Sequence, residues 1–202
     1  MTTNLDAPTR DTPIRLAVIV ASTREGRFAP TITNWFTELL RHRVDVEYDV
    51  IDLADVNVPM TFGAAAAHSI ASERERLGRA DAFVVITPEY NHSYPAALKQ
   101  FIDLIKAEWQ AKPASFVSYG GMSGGLRAVE HLRNVFAEMH TVTIRDIVSF
   151  HNPWAQFDVD ASGRGELREA DQPNAAAKVM LDELVWFAKA LRTARAEHPY
   201  AA

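Results

Sequence analysis

The 202-residue chain is long enough for one domain with a well-formed core, and its 48% apolar and 23% charged residues are ordinary for a globular protein. A net charge of -5 argues against nucleic acid as a partner, and no apolar run approaches the roughly 20 residues of a membrane span. The sequence has no cysteine, which excludes disulfides, thiol catalysis and thiolate metal sites and suits a reducing, cytoplasmic setting.

Residues 1–13 are polar, hold two prolines and lack the apolar stretch of a secretory signal. They are expected to be a flexible lead into a single domain over 14–196, with 197–202 as a tail. Ile14 to Ala21 reads as a buried strand. Ile32, Trp35, Phe36, Leu39 and Leu40 recur at helical spacing, and Pro30 suits the first turn of that helix. Val44 to Leu53 reads as a second strand. An irregular stretch over 53–67 follows, ending in Gly63 and the alanines 64–67. A short charged helix is expected over 69–78.

Ala82 to Ile86 is an apolar strand. It runs into the loop Thr87-Pro88-Glu89-Tyr90-Asn91-His92-Ser93-Tyr94-Pro95 and then an amphipathic helix over 96–109. Leu98, Phe101, Ile102, Ile105 and Trp109 form the helix face, and Leu104 widens it. Ala114 to Ser118 is another buried strand. Leu126, Val129, Leu132, Phe136 and Met139 mark one side of the next helix. Residues 141–144 and 147–150 are strand-like, 151–173 loop-like, and 175–195 a long final helix.

Strands alternating with helices imply crossover units and a parallel sheet covered on both faces, an α/β architecture. Five strands point to the doubly wound order 2-1-3-4-5, which binds ligands in the crevice between strands 1 and 3. Three unusual loops leave the strand ends there. Ser22-Thr23-Arg24-Glu25-Gly26-Arg27, with Phe28 and Ala29, precedes a helix amino terminus, whose free N–H groups attract anions. Its hydroxyls and arginines can add charge-assisted bonds. Its spacing is neither G-x-G-x-x-G nor G-x-x-x-x-G-K-[ST], which disfavours a pyrophosphate or triphosphate site. The same loop also reads as a turn with hydroxyl caps and two solvated arginines.

The second loop offers backbone amides between Pro88 and Pro95, with Tyr90 and His92 rings. Glu89 and His92 are conceivable acid–base groups, but no nucleophile–base–orienter set accompanies them, so no catalytic side chain is expected. The third loop, Ser118-Tyr119-Gly120-Gly121-Met122-Ser123-Gly124-Gly125, admits positive φ and close backbone approach, and can also let the next helix pack tightly, because its two glycine pairs are separate. Together the loops suit a ligand with one phosphate and one flat ring system. Asp158, Asp160, Ser162, Gly163 and Glu169 nearly fit a calcium loop. Pro153 argues against its incoming helix, and a polar β-turn explains the segment better. His131, His140 and His151 show no ligand spacing.

With these residues the chain resembles the NAD(P)H-dependent FMN reductases of the flavodoxin-like fold, a group that includes quinone, azo and chromate reductases. The resemblance runs from about Ile14 to Phe150. It rests on Ser22-Thr-Arg24-x-Gly26-Arg27, on Pro88 to Pro95 with Leu98 and Lys99, and on Ser118-Tyr119-Gly120-Gly121 with Gly124, Gly125, Arg127 and Ala128. It implies one FMN, with its phosphate at 22–29, its isoalloxazine along Pro88, Glu89, Tyr90, Asn91 and His92, and Ser118, Tyr119, Gly120 and Gly121 closing the other side. It further implies NAD(P)H as co-substrate, hydride transfer from nicotinamide to flavin, and a quinone, azo compound or free flavin as acceptor. A homodimer or homotetramer with flavin near the interface is part of the same expectation.

Three departures stand out. Ala21 replaces a frequent glycine, Phe28 replaces a small or polar residue, and Met60 to Ala67 lacks the expected acidic and proline-rich pattern. A flavodoxin-type electron carrier is the alternative reading. Arg24, Arg27 and the modest net charge count against it. A signalling receiver lacks its acids, because Ser22-Thr23 and Thr87-Pro88 occupy their places.

Overall fold

The computed structural model describes residues 12–160 and 164–201. In chain order these form β1 (Ile14–Val20), α1 (Ala29–Arg41), β2 (Val46–Asp52), α2 (Ala64–Ser69), α3 (Ala71–Arg79), β3 (Ala82–Pro88) and α4 (Ala96–Asp103). There follow β4 (Pro113–Gly120), α5 (Leu126–Glu138), β5 (Val142–Thr143), β6 (Val148–His151), β7 (Phe157–Val159), β8 (Gly165–Leu167) and α6 (Asp171–Glu197).

Apolar strands separated by amphipathic helices pair in parallel in the order β2-β1-β3-β4-β5, the flavodoxin-like arrangement. β6 also pairs with β4, at Val117 to Gly120, while β5 pairs at Pro113 and Ala114. The fifth position is therefore one strand in two pieces. Every residue of β3 is buried, as a central strand covered on both faces requires. One core joins the sheet to Ile32, Trp35 and Phe36 of α1 and Met180 and Leu184 of α6. The other joins it to Leu77, Leu98, Phe101, Leu132 and Phe136.

Several elements differ from expectation. Four alanines read as irregular belong to α2, a helix they favour by propensity without presenting an apolar face. The helix expected over 96–109 ends at Asp103. Beyond it the Trp109 indole donates to the Ile102 carbonyl, and its ring meets Phe83, Phe101 and Phe136 with centroids 4.8, 6.3 and 5.5 Å away. Ile105 and Trp109 are buried from a turn, and Leu104 packs on the same core rather than widening an outer stripe.

The stretch 151–173 holds a short 3-10 turn and the hairpin β7–β8, and α6 starts at Asp171. Phe157 seats the hairpin against Phe28 and Phe150, and a Cβ on Gly165 would lie 2.6 Å from Thr31 of α1. Asp158 pairs with Arg168 across the hairpin at 2.7 Å. Ser162 and Gly163 of the near calcium motif lie outside the described residues, as do residues 1–11 of the expected lead segment.

Candidate functional site

β1, β3 and β4 end at one edge of the sheet, with Val20 opposite Ile86 and Pro88 opposite Tyr119. The three loops singled out in the sequence leave from that edge and are tied to one another by side chains. Ser22 is fully buried, and its Oγ lies 2.7 Å from the Tyr90 hydroxyl. This bond links the first loop to the second.

Thr23 and Arg24 are exposed, and Gly26 takes a left-handed φ of +65°. Arg27 turns away from solvent. Its guanidinium donates to both carboxylate oxygens of Asp52 at the end of β2, at 2.5 and 2.7 Å, and to the Ser22 carbonyl. The Asp52 bond raises the Arg27 pKa, against the opposing effect of burial. α1 begins at Ala29, carries proline in its first two positions, and has neither a side-chain cap nor an acid in its first turn. A helix amino end of this kind attracts anions. Phe28 packs edge-on against Phe157 at 5.7 Å, and Ala29 is buried.

The second loop is a tight hairpin. Tyr90 and Ser93 exchange both backbone hydrogen bonds, at 2.8 and 3.0 Å, around Asn91 and His92. Both central residues have positive φ, 47° and 74°, the mirror-image turn that favours hairpins. Asn91 and His92 are exposed at the tip. Ser93 Oγ shares a 2.9 Å hydrogen bond with His131 Nδ1 on α5, and Pro95 caps α4 from an extended conformation.

Glu89 points into the third loop with only 8% of its side chain exposed. Ser123 Oγ, the Arg127 backbone N–H (3.1 Å) and Arg127 Nη1 (2.9 Å) all donate to it. Burial alone would raise the Glu89 pKa. The bonds from Ser123 and Arg127 outweigh it and hold the carboxyl below its ordinary value.

In the third loop the hydroxyls of Ser118 and Ser149 both donate to the Gly124 carbonyl at 2.9 Å, and His151 Nδ1 donates to the Met122 carbonyl at 3.2 Å. Gly125, at φ +87°, would bring a Cβ within 2.7 Å of Ser118. A Cβ on Gly121 would meet nothing closer than 3.8 Å. The second glycine pair serves packing, and Gly120 is also close-packed, with a Cβ there 3.3 Å from the Gly125 nitrogen, so that Gly121 alone of the first pair has room beside it. The Tyr119 phenol is 5% exposed; burial raises its pKa, against the opposing effect of the neighbouring Ser22 hydroxyl.

All fifteen expected site residues therefore lie on this edge. Sequence reasoning gave no role to Asp52, whose signal was an acid at a strand end beside an arginine-bearing loop, or to Ser123. A groove of about 980 Å³ opens elsewhere, between β6 and the start of α6, and holds none of these residues. Among the described residues no His, Asp and Glu cluster is arranged to hold a metal, and no helix is long and apolar enough to cross a membrane.

The family described as NADPH-dependent FMN reductase matches residues 14–155. An NAD(P)H-dependent FMN reductase of Schizosaccharomyces pombe is 33% identical over 120 residues, covering 55% of this chain and 60% of that protein. An NAD(P)H:quinone oxidoreductase of Solanum tuberosum is 29% identical over 158 residues, 73% of this chain and 81% of its own. Among solved structures, the flavoenzyme NAD(P)H:(acceptor) oxidoreductase FerB of Paracoccus denitrificans superposes with a TM-score of 0.67 at 22% identity, covering 88% of this chain and 98% of its own. That likeness establishes the shared flavodoxin-like fold. The family match spans all three loops and the strands that carry them, and the chain belongs to the NADPH-dependent FMN reductase family of oxidoreductases.

Proposed function

We propose that this chain holds one FMN at the shared edge of β1, β3 and β4, oxidises NAD(P)H, and passes the electrons to a small quinone, an azo compound or free flavin. The observation that carries this reading is the Ser22–Tyr90 hydrogen bond, which spans the crevice between β1 and β3 and fixes an anion-binding loop beside a rigid hairpin. The residues present fit FMN. The uncapped start of α1, with Thr23 and Arg24, suits the phosphate. The hairpin amides and the open side of Gly121 suit the flat ring.

When bound, FMN supplies the redox chemistry between NAD(P)H and the acceptor. The protein's own residues position it. Arg27 braces the phosphate loop through Asp52 rather than reaching the ligand. Pro88 to His92 present backbone groups in a fixed turn. Glu89 is engaged by Ser123 and Arg127, so it holds loops together and is not a proton donor to substrate. The cysteine-free chain suits a cytoplasmic enzyme.

The functional unit in this reading is a homodimer or a dimer of dimers. Met60 is 76% and Phe62 66% exposed, on a segment whose Pro59 carbonyl accepts a 2.8 Å bond from Gln100 of α4. Two large apolar side chains this exposed on a segment tied to α4 favour a second copy over solvent.

The test is direct. The purified protein should be yellow, and NAD(P)H should bleach it, with colour returning on addition of a quinone. Protein that takes up no FMN and oxidises no NAD(P)H would overturn the proposal.

A further inference from the structure

We infer that the outer face of α6 is a contact for a second copy of this chain, packed antiparallel about Trp186. The inference deepens the dimer-of-dimers reading above and does not depend on the flavin. α1 and α6 cover the same face of the sheet, through Trp35 and Phe36 of the first and Met180 and Leu184 of the second. α1 shows solvent the polar Asn34, Glu38 and Arg41. α6 instead exposes Ala175, Val179, Trp186 and Ala190, which fall on one line along the helix, opposite its buried stripe. Val179 is 54% and Trp186 66% exposed. A helix apolar on both sides is built for two neighbours, and the sheet is only one of them.

The flank of this line identifies the neighbour. Asp182 and Lys189 are two helical turns apart and so share one flank, with Trp186 nearly midway between them. Asp182 pairs with Arg43 and Lys178, yet 46% of its side chain is exposed. Lys189 feels Asp45 at a distance, while Arg43 takes that carboxylate's hydrogen bonds. A second α6 running antiparallel about a two-fold axis at Trp186 brings each Asp182 to the partner's Lys189, whereas a parallel one sets Asp182 against Asp182. Ala190 leaves room beside each Trp186 for the partner's indole. Val44, 93% exposed between Arg43 and Asp45, adds an apolar side chain on that flank. The line from Ala175 to Ala190 is about 22 Å long on a helix about 10 Å wide, far less than the roughly 800 Å² per partner of a standalone dimer. The contact therefore joins dimers in pairs, where it occurs twice, and does not hold two copies by itself. The Met60 and Phe62 segment is tied to α4, on the other face of the sheet, so the two contacts do not compete.

Light scattering of the purified protein, from micromolar concentration upward, tests this with Trp186→Glu and Lys189→Glu. The expected result is a wild-type tetramer that each change reduces to a dimer, with the fold unchanged by circular dichroism. A tetramer or a dimer that Trp186→Glu leaves intact would overturn the inference. A tetramer broken by Trp186→Glu but not by Lys189→Glu would reject the antiparallel pairing. A wild-type dimer that Trp186→Glu splits into monomers would keep the α6 contact and remove the one at Met60 and Phe62. A wild-type monomer would reject both contacts. If removing residues 2–11 from that monomer then raised iodide quenching of Trp186, read in a Trp154→Phe background, the face would belong to the chain's own lead segment.

Discussion

Arg27 and Asp52 clasp each other in a two-pronged ion pair, Nη1 to Oδ1 at 2.5 Å and Nη2 to Oδ2 at 2.7 Å, which makes the second arginine of the phosphate loop a strut. The pair is largely shielded, with 17% and 22% of the side chains exposed. Asp52→Ala should therefore destabilise the flavin-free protein by about 1–3 kcal/mol and loosen the loop. FMN affinity should fall severalfold, less than for loss of a direct phosphate contact. Urea denaturation and flavin titration of the same variant check both parts.

Arg24 is the arginine left exposed at the mouth of the site. Arg24→Ala should weaken FMN by about 1.5–3 kcal/mol, roughly ten- to a hundredfold, and leave riboflavin binding and protein stability nearly untouched. Comparable losses for both flavins would move the phosphate elsewhere.

Glu89 has a depressed pKa, so its stabilising bonds are complete above the ordinary glutamate value of 4.5 and are lost as pH falls through the lower folded value. Glu89→Gln should lower stability near neutrality by roughly 1–3 kcal/mol. The gap to wild type should narrow steadily on acidification toward the folded pKa. In the proposed mechanism Glu89 moves no proton, so flavin-loaded Glu89→Gln should retain substantial NAD(P)H oxidation, as should His92→Ala. A drop of several orders of magnitude with flavin bound would reveal a catalytic group.

Lys112 lies 6% exposed at the opposite end of the sheet, donating to the Leu77 and Gly78 carbonyls at 2.8 and 3.0 Å. Burial lowers its pKa from 10.5 to about 8. Between those values the unfolded chain holds the extra proton, so Lys112 makes stability rise with pH over that window. Lys112→Met should abolish this rise. Denaturation midpoints of the two proteins, compared on either side of the window, measure it.

Placing a carboxylate at Met60 and Phe62 tests the subunit contact. The double change to glutamate should break the proposed dimer into monomers at micromolar concentration by light scattering, with the fold intact by circular dichroism. A wild-type monomer with flavin bound and activity retained would remove the need for a partner.

The sheet order and nearly all the core could be read from the chain, because β3, α1 and α5 carry long, regular apolar patterns. The loops were legible as a group because each follows such a strand. The ties between them were not. Ser22 with Tyr90, Arg27 with Asp52 and Glu89 with Ser123 join residues 68, 25 and 34 positions apart, and no local pattern encodes such partners. The helix end at Asp103 escaped notice because Ile105 and Trp109 kept helical spacing while serving a buried turn. The hairpin β7–β8 was hidden by its brevity, three residues a side, and α2 by having no apolar face at all.

The hairpin at Tyr90–Ser93 carries one further consequence. It is closed by its own backbone, held at one end by Ser22 and at the other by His131, so its two left-handed residues are already in place before any ligand arrives. A loop that does not have to be ordered on binding spares the flavin that entropic penalty. Capture should then proceed close to the encounter rate, and differences in affinity among loop variants should be written mainly in how fast the flavin leaves.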